Sequence, residues 1–145
     1  MNWKNEAMDK LRQYEAQKNA LKSIPQEIEQ LKASRSAIRG ASSDAMPVRG
    51  GGNGREDMLL SSIVKEEELE RALRSAKLDV LLTDAGMECL DDEERLILDR
   101  FYIHPMKGAA ERLAGELSMD TKTIYKRKDS ALRHFTISLY GETES

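Results

Sequence analysis

Cysteine is nearly absent: the 145-residue chain has one, Cys89. A single thiol cannot close an intrachain disulfide, so a disulfide-stapled fold is excluded and a reducing cytoplasm fits best. Aromatic residues make up 5% of the chain and there are three prolines. That scarcity disfavours a β-sandwich, which draws on aromatic and β-branched residues, and favours helices. No apolar run approaches the ~18–20 residues that a membrane span requires. The opening MNWKNEAMDK lacks the apolar centre of a signal peptide. There are only two histidines, His104 and His134. Neither has neighbours in sequence that suggest a triad or a metal site. Cys89 follows Met87-Glu88 at a helix boundary and reads as a small buried residue rather than a nucleophile. The expectation is a protein that is not an enzyme, with no metal and no cofactor.

Charge is plentiful, at 34% of residues, and unevenly placed. The chain as a whole is −3, but residues 1–55 are net +4, residues 56–104 net −8 and residues 105–145 net +1. Within 122–134 five basic residues face one acid. A local basic patch of this kind can bind DNA through its phosphates even when the whole chain is mildly acidic.

The pattern along the chain predicts helices joined by one linker. Residues 3–22 form a charged helical segment. Ser23-Ile24-Pro25 predicts a break, because proline breaks a helix interior. A second helix is expected from Pro25 to Ile38, with an apolar stripe through Leu21, Ile24, Ile28, Leu31 and Ile38. Residues 1–39 thus read as a helical hairpin or coiled-coil-like part. Residues 40–55, with five glycines and a proline, read as a linker. They lack the preceding strand and the Gly-Lys-Ser/Thr ending of a phosphate-binding loop. Residues 56–86 predict a long acidic connecting helix, with Leu59, Ile63, Leu69, Leu73, Ala76 and Val80 on one side and Gly86 as its stop. Its run Glu66-Glu67-Glu68-Glu70 is either a solvated face or a partner-binding one. Apolar stripes in the N-terminal half are compatible with a homodimer through these helices.

Residues 87–141 predict three closely spaced helices, with 142–145 as a tail. The first spans Asp91 to Ile103, with acids in its first turn, where the helix dipole favours them. His104-Pro105 ends it. The second runs from Lys107 or Gly108 to Leu117, and the third from Thr121 to Leu139 with Asp120 as N-cap. Only Ser118, Met119 and Asp120 separate the last two, the spacing of a helix-turn-helix. On a wheel of 100° per residue, Lys126, Asp129 and Arg133 fall within about 40° of Lys122. Ile124, Ala131, Phe135 and Leu139 occupy the far side, with Leu132 at its edge. Lys128 falls in the apolar arc, where it either snorkels past the core edge or faces another protein. The expected DNA-binding residues are Ser118, Thr121, Lys122, Thr123, Tyr125, Lys126, Arg127 and Arg133. Threonine can bond bases or phosphates, tyrosine can bond phosphate, and lysine and arginine can bond phosphate or guanine.

The segment LDDEERLILDRFY, followed by AAERLAGELSMDTKTIYKRKDSALRHF, resembles the fourth region of sigma-70-type factors. Leu90, Glu94, Arg95, Arg100, Phe101, Ala131 and Leu132 occupy that pattern's places. Ser118 stands where many such motifs have glycine, and Arg127 where a second aliphatic residue is usual. The full layout is similar to phage transcriptional regulators of the ArpU and RinA type. The shared marks are the Ile-Pro-x-Glu-Ile step from Ile24 to Ile28, the glycine-rich linker and the closing Leu139-Tyr140-Gly141. The resemblance implies an all-α protein whose C-terminal part is a sigma-70 region 4-like helix-turn-helix domain. It also implies binding of double-stranded DNA near promoters, together with host RNA polymerase. Two alternatives remain: a module that grips polymerase without its own DNA specificity, and a terminase-type protein that recognises DNA for packaging.

Overall fold

The computed structural model describes residues 2–41 and 52–141. Among these the protein is all-α, with no strand. Helix α1 spans Trp3–Ala41 and α2 spans Gly52–Glu88. Helix α3 spans Asp92–Leu98 and continues into a π-helical turn at Asp99–Ile103. Helix α4 spans Ala109–Leu117 and α5 spans Thr121–Tyr140.

Several sequence expectations need correction, among them Cys89, which is exposed rather than buried. The break at Ser23–Pro25 is not there: α1 runs through Pro25 without interruption. An interior proline costs a helix about 3 kcal/mol or more. Ile24 and Ile28, however, are only 9% and 8% exposed on either side of it. Burying each such side chain contributes about 1.5–3 kcal/mol, so packing offsets the local defect. The predicted 40–55 linker also overlaps helix at both of its ends, because α1 reaches Ala41 and α2 begins at Gly52. Residues 42–51, and the tail at 142–145, lie outside the described residues. Finally, Gly86 does not stop α2, which continues to Glu88. A Cβ at Gly86 would lie 2.7 Å from Phe135 Cε1 and 3.3 Å from Leu139 Cδ2. Glycine is there to let α5 approach.

The described chain divides into two compact units. One joins residues 1–17 to 78–145, and the other is residues 18–77. In the second unit the α1 and α2 segments run antiparallel. Arg35 meets Glu66 across them, and the Arg35 guanidinium holds that carboxyl below the usual carboxylate range. Glu66 is therefore turned toward α1, while Glu67 and Glu68 are exposed.

The first unit holds the larger core. Ala7 and Leu11 from the start of α1 pack with Leu90, Leu98, Tyr102, Ile103, Ala131, Leu132 and Phe135. The sequence pattern assigned residues 1–39 to a separate part, yet the first turns of α1 complete this core. Helix α3 opens with a capping box: Asp91 accepts the Glu94 amide at 2.7 Å, and the Glu94 carboxylate accepts the Asp91 amide at 3.2 Å. Two of the free amides of a helix start are satisfied this way. The π-helical turn ends where the His104 amide donates to the Asp99 carbonyl at 2.7 Å. Tyr102 and Ile103 in that turn are buried.

His104 lies between two carboxylates, Asp99 at 2.8 Å from Nδ1 and Glu15 at 3.1 Å from Nε2. The bond to Asp99, reinforced by its charge and by Glu15, raises the imidazole above the ordinary histidine value. A raised folded-state value stabilises the fold below the unfolded histidine value, and the gain is lost as pH rises through the folded one. His104→Gln is expected to be less stable than the parent at pH 5–6, with the two converging in mildly alkaline buffer. The gap should stay below about 1 kcal/mol because the side chain is 60% exposed and solvent screens it. Urea unfolding at a series of pH values checks this, and a pH-independent gap would contradict it.

Candidate nucleic-acid interface

The stretch that joins α4 to α5 is three residues long, Ser118 to Asp120. Ser118 adopts the left-handed conformation, with φ 55° and ψ 46°. It is the sole non-glycine residue with positive φ among the described residues. This explains why glycine is common at such a position: a Cβ is costly there. The Ser118 and Met119 amides both donate to the Ala114 carbonyl, closing the end of α4. Asp120 then caps α5, its carboxylate accepting the Thr123 amide at 2.7 Å. The Thr123 hydroxyl reaches the same carboxylate and, with the amide, holds Asp120 below the usual carboxylate range.

Beneath the turn is a small core of its own. Ile97, Ala110, Leu113 and Ile124 are buried together, with Ala114, Leu117 and Met119 packed against them. Ile124 seats the first turns of α5 on α3 and α4. Further along, Ala131, Leu132 and Phe135 seat the rest on the larger core. Leu132, expected at the edge of the apolar arc, is 1% exposed. With the inner face committed, the outer face of α5 is fixed in direction.

Of the expected contact residues, Thr121, Lys122 and Lys126 are exposed at the leading end of α5, and Ser118 is exposed in the turn. Lys122 and Lys126 make no ion pair within 4 Å among the described residues, although the Lys126 charge acts on Asp120. Thr123 is half-buried and engaged by the cap. Tyr125 is 47% exposed and packs on Phe101, with ring centroids 5.9 Å apart. Arg127, which replaces the usual aliphatic residue, is exposed and binds Glu93 of α3. Arg133 lies over the Trp3 ring, 5.5 Å from its centroid. The structure thus gathers Thr121, Lys122 and Lys126 at one free end, while Thr123 is engaged by the cap of its own helix and Tyr125, Arg127 and Arg133 contact other elements.

Lys128 is accounted for. Its ammonium lies 5.1 Å from the Phe101 ring and 5.1 Å from the Tyr125 ring. Two electron-rich faces hold the charge over the edge of the apolar arc. Sequence reasoning missed Trp3 and Lys4. Lys4 Nζ sits 3.7 Å from Asp129 on α5. No spacing rule connects positions so far apart in the chain.

No protein-family model, curated protein or solved structure matches the chain.

Proposed function

We infer that this protein binds double-stranded DNA, with α5 as the reading helix of a sigma-70 region 4-like helix-turn-helix, and that it regulates transcription. The observation that carries the reading is the leading end of α5. Two lysines without an ion-pair partner among the described residues stand there beside Thr121, on a helix whose opposite face is fully used in packing. In a helix-turn-helix the first turns of the second helix enter the major groove. Lys122 and Lys126 are placed for phosphates, which position the protein. Thr121 is better placed than Thr123 to read a base edge, since Thr121 is exposed and Thr123 is half-buried. The resemblance to phage regulators of the ArpU and RinA type supplies the rest of the proposal: action in the cytoplasm near promoters, alongside host RNA polymerase. A homodimer would use the second unit. There Leu60 and Val64 stand one turn apart on α2 and are 61% and 45% exposed.

The test starts with selection of bound duplexes from random fragments, followed by binding of the best one at several salt concentrations. Each lost phosphate contact removes ~0.9 from the slope of log affinity against log salt, so Lys122→Ala/Lys126→Ala is expected to bind roughly 50-fold more weakly near 0.1 M salt. Equal affinity for the double variant across the salt series would refute the reading.

A further inference from the structure

The first turn of α1 lies beside the rear half of the charged stripe on α5. Lys4 Nζ is 3.7 Å from Asp129 Oδ2. The Trp3 ring carries two cations, with Lys4 Nζ 5.8 Å from its centroid and the Arg133 guanidinium carbon 5.5 Å away. Asp129 is the sole acid on the stripe of Lys122, Lys126 and Arg133. An unneutralised carboxylate there would repel a phosphate backbone, and Lys4 stands against it. The Lys4 and Asp129 side chains are 43% and 52% exposed. A pair so open to water contributes little to folding, so its value as a structural tie is small. What it does is fix an ammonium group about two helical turns behind Lys122, on the same side of the unit.

We propose that Lys4, held in place by Trp3 and Asp129, is a second phosphate-binding point, so that the start of α1 forms one wall of the duplex interface. This rests on the DNA reading above. Duplex DNA carries a phosphate charge for every ~1.7 Å of axis. A cation about two turns (~10 Å) along the helix therefore meets a different phosphate from the one at the leading end. Trp3 limits the freedom of Lys4, which lowers the ordering cost of the contact.

The experiment compares the full chain with Lys4→Ala and Lys4→Arg on its selected duplex, from low to moderate salt, with thermal unfolding measured alongside. Lys4→Ala is expected to bind roughly five- to tenfold more weakly near 0.1 M salt, with a slope smaller by ~0.9. Its unfolding midpoint should be unchanged, and Lys4→Arg should keep the parental slope. If Lys4→Ala binds as well as the parent or tighter, the wall does not exist, even where Lys122→Ala/Lys126→Ala loses binding. A full chain that binds no duplex overturns both readings.

Discussion

Ile124→Ala is expected to cost about 2–5 kcal/mol of folding stability, the range for emptying a large aliphatic site in a core. Ile124 is fully buried in a cluster with Ile97, Ala110 and Leu113. That cluster is small: of the three buried partners of Ile124, Ala110 and Leu113 come from α4 and Ile97 from α3. Few side chains are available to close over the cavity, which places the cost toward the upper part of the range. A typical domain is stable by about 5–15 kcal/mol, so the variant should remain folded at low temperature and unfold at clearly lower denaturant. Chemical unfolding followed by helical circular dichroism measures the difference. A loss below about 1 kcal/mol would mean that α5 is not anchored at its leading end by this contact. Affinity for DNA should fall as well, because the direction of Lys122 and Lys126 depends on the same seat.

Gly86→Ala should destabilise the protein even though alanine is the better helix former. In a helix interior, alanine gains about 1 kcal/mol over glycine. Here the added Cβ would meet Phe135 Cε1 at 2.7 Å and Cδ1 at 2.8 Å, and Phe135 is fully buried. Overpacking of this kind costs about 1–3 kcal/mol. The clash wins because a fully enclosed ring has no free direction in which to move. Phe135→Ala alone should cost about 3–5 kcal/mol. In that background Gly86→Ala should change sign and become neutral or stabilising, since the ring it struck is gone. A double-mutant cycle reads the coupling directly. Additive effects in the cycle would show that the two positions do not meet.

Much of the C-terminal architecture was legible because it is local. Ile124, Ala131 and Phe135 follow the helical period, and Asp120 and the acids at 91–94 mark helix starts. The short Ser118–Asp120 connection leaves few ways to pack α4 on α5. The misreadings share one cause, which is contact between distant positions. Pro25 carries a real local penalty, but burial of Ile24 and Ile28 overrides it. Gly86 looks like a helix end until Phe135 is placed against it. Lys128 looks misplaced until Phe101 and Tyr125 bracket its charge. At the candidate interface, the sequence pattern pointed to the stripe of Lys122, Lys126 and Arg133. It could not reveal that Glu93 engages Arg127 or that Trp3 and Lys4 border the stripe.

The joining of Ala7 and Leu11 to Leu132 and Phe135 has a kinetic side. These partners sit near opposite ends of the sequence, so a ribosome makes the first of them long before the last. The helix pair at residues 18–77 can form from neighbouring contacts while synthesis continues. The core that orients α5 must wait for a long loop to close, and non-local closure slows folding. Refolding should therefore run in two stages, with most helical signal recovered before the lysine-bearing end acquires its final direction.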